Sequence, residues 1–205
     1  KNEDAYFRPG LTWTLRANAL SLRLFPRGGI FDRGGSCVFV ENDDPQQLLS
    51  ILAILNSRAY QNLIGAQLQM AVGNSRYECG MLASAPFPAF NTETQQTLAL
   101  WAKQNFNARR KLDSVNEESR AFVLPEEIQV ANEELNQEAE LTVIEQTQKQ
   151  IDDKADELYG LQSQIIAKQE KSRQLSTPDE TERRHRLLSW AVGVAFGRFD
   201  WRLAT

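Results

Sequence analysis

The spacing of apolar residues divides the chain into a strand-rich first part and a helical second part. Short apolar runs lie between glycine pairs and other turn residues, which is typical of strands joined by tight turns. Strands are predicted at 11–15, 20–25, 30–31, 37–40 and 77–81. Beyond them, apolar residues recur every three or four positions, which predicts helices. The pattern therefore predicts an α+β fold, in which a small mixed domain of short strands surrounds a buried helix pair and a long-helix region follows.

The predicted helix pair has clear boundaries. Asp44 is placed to cap the first helix and Pro45 fits its first turn. Apolar residues then cover nearly the whole circumference, so this helix is expected to lie between layers rather than on the surface. Asn56 and Ser57 are expected to end it, and Ser57 should cap a second helix that runs through Leu68. This pair is predicted to form the core.

The second half of the sequence is helical and polar. A helix is predicted from 92 to about 119, and a longer helical pattern runs from 127 to 170 with a possible break at 159–161. The apolar seam of this pattern is too interrupted for a free-standing coiled coil, so we expect it to dock on the same chain. We predict a target-recognition-like α/β domain at 1–123, a long helical segment (a helical hairpin or docking helix) at 124–172, a linker at 173–186 and an apolar C-terminal helix at 187–205.

Charge modifies this picture. The formal net charge of the 205 residues is −4, which argues against general affinity for nucleic acid. Residues 1–123 nevertheless carry 13 Lys and Arg against 11 Asp and Glu, whereas 124–205 carry 10 against 16. Ten of those 13 cations are arginine, which suits planar recognition of phosphate and guanine. No apolar run reaches the roughly 20 residues of a membrane span, so no membrane partner is expected. The use of the two cysteines, Cys37 and Cys79, favours a reducing, cytoplasmic setting.

Candidate chemistry is sparse. Cys37, Cys79 and the single histidine, His185, have no metal-ligand spacing, and Cys37 is predicted to be a small buried residue. The sequence contains no nucleotide-binding glycine motif after a strand and no Asn-Pro-Pro-aromatic motif of an amino-methyltransferase. We therefore predict no catalytic residue, no metal and no cofactor site in these residues, and expect them to be inactive alone.

Polar and aromatic residues at the predicted turns remain. Arginine and asparagine on loops held by a rigid helix pair are the groups that read base edges, although ordinary turn polarity is the other interpretation. The candidate DNA-binding residues are Thr12, Trp13, Arg16, Asn18, Arg23, Arg33, Asn74, Arg76 and Tyr77.

The order of four motifs resembles one family. GLTWTL, FPRGGIFDRGGSCVFV, LLSILAILNSRAYQNLI and NSRYECGMLASAPFP follow one another as in the large phage-defence (BREX and DISARM) and type IIG-like adenine-specific (N6) DNA methyltransferases. The residues that carry the resemblance are Gly10, Thr12, Trp13, Pro26, Gly29, Phe31, Gly35, Phe39, Leu55, Asn56, Ser57, Gly80, Pro86 and Pro88.

The resemblance implies a target-recognition region from a longer protein. In that family a Rossmann-like methylase domain lies upstream and carries the catalytic and S-adenosylmethionine motifs, which are absent here. The implied partners are double-stranded DNA, the chain's own upstream methylase domain and other defence-system proteins. The loops of this region would read the DNA site while the methylase domain flips and methylates an adenine.

A structural or protein-interaction module is the alternative. In that interpretation the long helix and the final apolar helix dock the methylase domain or another defence-system subunit. A DNA-reading module should gather its arginines on one face of the mixed domain, whereas a docking module should expose an apolar stripe along a helix.

Overall fold

The computed structural model describes residues 2–32, 34–70, 76–131, 135–161, 180–200 and 202. The strands are β1 (Gly10–Thr14), β2 (Leu22–Phe25) and β3 (Gly35–Val38). The helices are α1 (Pro45–Leu55), α2 (Arg58–Met70), α3 (Cys79–Ser84), α4 (Thr92–Asp113), α5 (Glu126–Ala131), α6 (Gln137–Tyr159) and α7 (Glu180–Ala195). The predicted α+β class is confirmed.

The chain divides into two compact units. The first unit comprises residues 1–104 and 146–165, and the second comprises 105–145 and 166–205. The four-part division from the sequence stays a prediction, with one correction. Helix α7 begins at Glu180, so 180–186 are helical rather than linker, and 173–179 lie outside the described residues.

A three-stranded antiparallel sheet with the order β2-β1-β3 organises the first unit. Leu11 lies opposite Leu24 and Val38, and Trp13 lies opposite Leu22, which places these side chains on one face. Leu11, Trp13 and Leu22 are buried in the core. The alternate residues of each strand therefore lie on the opposite, outer face.

Two predicted strands are absent. Residues 30–31 form no strand, because two residues between glycine turns are too few for a ladder; the Phe31 ring instead packs 5.4 Å from that of Tyr6. Residues 77–81 were predicted as a strand, but helix α3 begins at Cys79. A backbone hydrogen bond, from the N–H of Tyr77 to the carbonyl of Leu15 at 2.9 Å, is formed where the strand was expected. A five-residue apolar run does not distinguish a strand from a short helix by periodicity.

The buried helix pair has the predicted caps. The Asp44 carboxylate accepts the N–H of Gln46 at 3.0 Å, with Pro45 in the first turn of α1. The Ser57 hydroxyl accepts the N–H of Tyr60 at 3.3 Å, which caps α2. The two helices bury large side chains, among them Ile54 and Tyr60. Each such side chain stabilises the fold by about 1.5–3 kcal/mol relative to exposure.

The long helix α6 docks on this core, as predicted. Ile151 and Ala155 of α6 are buried in one cluster with Ile54 of α1 and Leu98 of α4. Two polar contacts also join α6 to α2. The Asp152 carboxylate accepts the backbone N–H of Arg58 at 2.8 Å, and Asp156 lies 2.6 Å from the Arg58 guanidinium. A carboxylate from α6 thus caps the first turn of α2. The predicted break is also present, since α6 ends at Tyr159 and Gly160 has φ +66°.

Polar contacts also define the second unit. The helix predicted from 92 to about 119 ends at Asp113, and the N–H of Val123 returns to the carbonyl of Ser114 at 2.7 Å. Lys111 pairs with Glu140 at 2.6 Å. At the end of the chain, the Phe199 ring packs against Phe122 with 5.0 Å between centroids.

Candidate nucleic-acid interface

The outer face of the sheet carries polar side chains. Within β1, alternation places Thr12 and Thr14 on this face, and the exposed Arg16 follows just after the strand ends. Arg23 of β2 lies directly opposite Thr12 on one side, and Cys37 of β3 lies opposite it on the other. Arg16 and Arg23 are exposed, and this row of facing residues contains no carboxylate. The face is therefore locally cationic although the whole chain is acidic.

Arg16 and Arg76 form the second part of the site. They are partners in an isolated antiparallel bridge, which joins the end of the first strand to the segment after the helix pair. Arg16 is exposed and Arg76 is half-buried. Within the part of the chain that the structure describes, the Arg76 Nε atom is buried and has no hydrogen-bond partner. Two predicted DNA-binding residues that are far apart in sequence are thereby side by side.

The buried side chains of Trp13 and Tyr77 support the backbone of this bridge from the core side. The Trp13 side chain is 3% exposed and the Tyr77 side chain 5% exposed. The indole N–H of Trp13 donates to the backbone carbonyl of Tyr77 at 2.7 Å. Burial leaves neither side chain able to reach DNA, so both predicted contact residues are reassigned to supporting the backbone beneath Arg76.

Thr12 and Cys37 complete the middle of the outer face. The Thr12 hydroxyl donates to the carbonyl of Ser36 at 3.0 Å, so it fixes β3 against β1. Cys37 was predicted to be buried, but its side chain is partly exposed, because strand alternation turns it to the outer face. Partial burial raises the pKa of the Cys37 thiol, an effect that its hydrogen bond with Thr12 partly opposes. The thiol therefore adds no negative charge to this face at neutral pH.

Of the remaining predicted residues, the structure describes Asn18 but not Arg33 or Asn74. Asn18 is exposed in the loop between β1 and β2, close to Arg16 in sequence. Arg33 and Asn74 lie outside the described residues, so their predicted contacts with DNA stay predictions. Among the described residues, no His, Cys, Asp or Glu side chains gather into a metal-binding group. No described helix is long and apolar enough to cross a membrane.

Sequence reasoning missed the role of Asn56. Its side-chain oxygen accepts the N–H of Leu22 at 2.9 Å, and its side-chain nitrogen donates to the carbonyl of Leu22 at 3.0 Å. Because β2 is an edge strand, the Asn56 amide takes the place of a neighbouring strand at that residue. Asn56 thus fixes the position of β2 immediately before Arg23. The Leu-Asn-Ser motif at 55–57 was the signal from which this could have been suspected.

Comparison with known proteins supports the predicted relationship to methyltransferases. No family model matches the chain. Its sequence is 40% identical over 80 residues to "Adenine-specific methyltransferase BrxX" of Escherichia coli O9:H4 (strain HS). The chain is methyltransferase-related. The match covers 37% of this chain and 7% of the BrxX protein, so the chain corresponds to a small part of that relative. The predicted relationship is confirmed at this level, and the target-recognition assignment stays a prediction.

Proposed function

We propose that this chain is the DNA target-recognition part of an adenine-specific DNA methyltransferase of the phage-defence or restriction-modification type. The observation that carries the proposal is the outer sheet face, on which Arg16, Arg23 and Arg76 gather without a facing carboxylate. The 40% sequence identity with an adenine-specific methyltransferase over 80 residues supports the same function. Double-stranded DNA is the proposed partner.

The dimensions of this face suit a duplex. Arg23 is level with Thr12, whereas Arg76 is level with Arg16, four residues further along the chain and just beyond the end of β1. Four residues of extended chain span roughly 13 Å. That distance corresponds to about four steps of 3.4 Å along one DNA strand. The two positions can thus contact separate nucleotides, and Asn18, two residues after Arg16 in the sequence, is exposed and available for a base edge.

The methylation chemistry would belong to the rest of the parent protein. S-adenosylmethionine, which supplies the methyl group, would be bound by the upstream methylase domain and not by this chain. The role proposed for the residues described above is to hold and read the duplex while that domain acts on the flipped adenine.

Binding to duplex DNA tests the proposal directly. The purified chain is titrated against a pool of random duplexes at about 50 mM and about 200 mM salt. If arginines contact phosphates, affinity should fall steeply between the two concentrations. Arg23→Gln should weaken binding, and Asn18→Ala should alter the sequences that are selected from the pool.

Arg110→Gln is the matched control. Arg110 is an exposed arginine in the last turn of α4, away from the sheet in sequence. This variant should bind as the wild type does. Binding that is absent at low salt, or equal loss in the Arg23 and Arg110 variants, would contradict the proposal.

One observation favours the alternative, a surface that docks the methylase domain. Helix α7 exposes Leu188 by 62%, Val192 by 48% and Phe196, just after the helix, by 85%. Their spacing of four residues places them on one side of the helix, where they line an apolar groove of about 600 Å³ together with Gly193. An exposed apolar stripe of this kind typically marks an interaction surface.

Mixing this chain with the separately expressed methylase domain of its parent tests the alternative. The double variant Leu188→Gln/Phe196→Gln should weaken association at least about tenfold, since it removes two exposed apolar anchors. Leu100→Gln is the control, because Leu100 is 54% exposed on α4 and outside the stripe. Equal association of all three proteins would eliminate the α7 surface as the docking site.

A further inference from the structure

The Arg16–Arg76 bridge places two like charges opposite each other. Directly opposed residues of an antiparallel pair have Cβ atoms roughly 5 Å apart, and like charges at such positions are destabilising. Neither guanidinium is compensated, since no ion pair or hydrogen bond joins either side chain to a described residue. This arrangement is unfavourable unless an anion lies between the two side chains.

The orphan nitrogen of Arg76 is a second, independent indication. Buried polar atoms are nearly always hydrogen-bonded, and an exception commonly marks a missing water or ion. The Arg76 Nε atom is buried and has no partner among the described residues, although Arg76 itself is only half-buried. The Nε donor itself is closed to solvent, but Arg76 as a whole is only half-buried, so a ligand can reach the open part of its side chain.

The backbone under the pair is held firmly. The N–H of Tyr77 donates to the carbonyl of Leu15 at 2.9 Å, and the Trp13 indole bonds to the Tyr77 carbonyl at 2.7 Å. Trp13 and Tyr77 belong to the same buried core cluster. The two arginines are thus presented by a supported ladder rather than by free loops.

We infer that Arg16 and Arg76 together bind a single phosphate group, which in the proposed function is one phosphodiester of the target duplex. A guanine base takes one guanidinium in its plane, and a carboxylate is filled by one bidentate arginine. A tetrahedral phosphate instead offers oxygens to two guanidiniums that approach from different sides. The pair therefore sets the register of the protein on DNA without reading sequence. This inference specifies a ligand at the site of the proposed function and rests on it for the source of the phosphate.

Inorganic phosphate alone is the first probe. Thermal unfolding of the full chain is followed in phosphate, in acetate and in chloride at equal ionic strength and pH. Phosphate also stabilises proteins generally because it is excluded from their surface. Binding at the site is therefore measured as the difference in stabilisation between the wild type and the variants. The phosphate-specific rise in melting temperature should be lost in Arg16→Gln and in Arg76→Gln, but retained in Arg110→Gln.

The salt dependence of duplex binding is the second probe. Each phosphate contact contributes about 0.9 to the slope of log affinity against log salt concentration. Because the two arginines share one phosphate, either single variant still neutralises that phosphate and should leave the slope nearly unchanged, whereas the double variant should lower it by about 0.9. The loss of affinity should also be equal across duplex sequences.

The outcomes are distinct. A double variant that lowers the slope by about 1.8 would mean two independent contacts and would overturn the shared site. Loss of affinity for selected sequences alone would indicate base readout and would overturn it as well. If phosphate stabilises only the wild type and Arg110→Gln while no protein binds DNA, the phosphate site stands and the proposed function fails. If all variants respond equally to phosphate, the site itself is refuted.

Discussion

The indole N–H of Trp13 donates to the backbone carbonyl of Tyr77 at 2.7 Å, across 64 residues of sequence. This bond ties the first strand to the segment that follows the helix pair. The bond lies next to the bridge between Arg16 and Arg76, so this buried contact helps to position the two charged side chains. The core of the first unit and its candidate interface are therefore coupled.

Trp13→Phe should destabilise the protein by about 1–3 kcal/mol, because it leaves the buried Tyr77 carbonyl without its donor. Urea unfolding followed by circular dichroism measures the change. Trp190→Phe is the matched control. The Trp190 indole nitrogen is buried without a described partner, so its removal should be neutral or slightly stabilising. Equal destabilisation by both substitutions would show that ring volume, and not the hydrogen bond, matters at Trp13.

Asn56→Ala should cost about 2–4 kcal/mol, since it orphans both the N–H and the carbonyl of the buried Leu22. Gln61→Ala provides the comparison. The Gln61 side chain makes one bond, to the carbonyl of Leu55 at 3.0 Å, so its loss should cost about 1 kcal/mol or less. Chemical denaturation of the two variants beside the wild type tests the difference. Comparable small losses would mean that water replaces Asn56 at the edge of β2.

The helix pair could be predicted from sequence because its signals are local. Asp44 and Ser57 cap helices through bonds to residues two or three positions away, and α1 is apolar on nearly all sides. The three strands of the sheet were likewise predicted from short apolar runs between turn residues. By contrast, the short run at 77–81 satisfies strand and helix patterns alike, and its outcome depends on the distant Leu15 and Trp13.

The candidate interface was only partly accessible to sequence reasoning. Residue type placed Arg16 and Arg76 in one candidate set, and the resemblance implied a function for that set, which stays a prediction. Their direct opposition could not be inferred, because residues 16 and 76 are brought together by the intervening helices. Trp13 and Tyr77 were misassigned as contacts for the same reason: composition does not report which side of a strand faces the core.

Two tyrosines predict a specific response to alkaline pH. Burial raises the pKa of Tyr60 to about 12, and burial together with the neighbouring Tyr60 raises that of Tyr159 to about 12, against 10.0 for a free side chain. The folded state keeps both protons above pH 10 while the unfolded state releases them. Stability should therefore be intact below pH 10 and fall as the pH rises from 10 to about 12.

Tyr60→Phe tests this response. At pH 8 the variant should be less stable by about 1 kcal/mol, because it lacks the hydroxyl that donates to the Leu82 carbonyl at 3.2 Å. The difference from the wild type should narrow as the pH approaches 12. Denaturation at several pH values and the 295 nm absorbance of the native protein give the two readings. Native phenolate absorbance that is complete near pH 10 would refute the raised pKa values.

Two glycines that carry the family resemblance should respond in opposite ways to alanine. A Cβ atom at Gly10 would lie 2.6 Å from the carbonyl oxygen of Val38 and 3.0 Å from the Phe39 ring, whereas one at Gly80 meets nothing within 4 Å. Backbone on the neighbouring strand has little room to move, so Gly10→Ala should destabilise the sheet by about 1–3 kcal/mol.

Gly80→Ala should be neutral or stabilising by up to about 1 kcal/mol, because Gly80 lies in helix α3, where alanine is favoured. Thermal unfolding of the two variants measures both effects. A large loss at Gly80 would mean that the position is kept open for a partner of the chain rather than for its own packing. A small loss at Gly10 would mean that β1 and β3 separate readily, and the row formed by Arg23, Thr12 and Cys37 would then lack a rigid base.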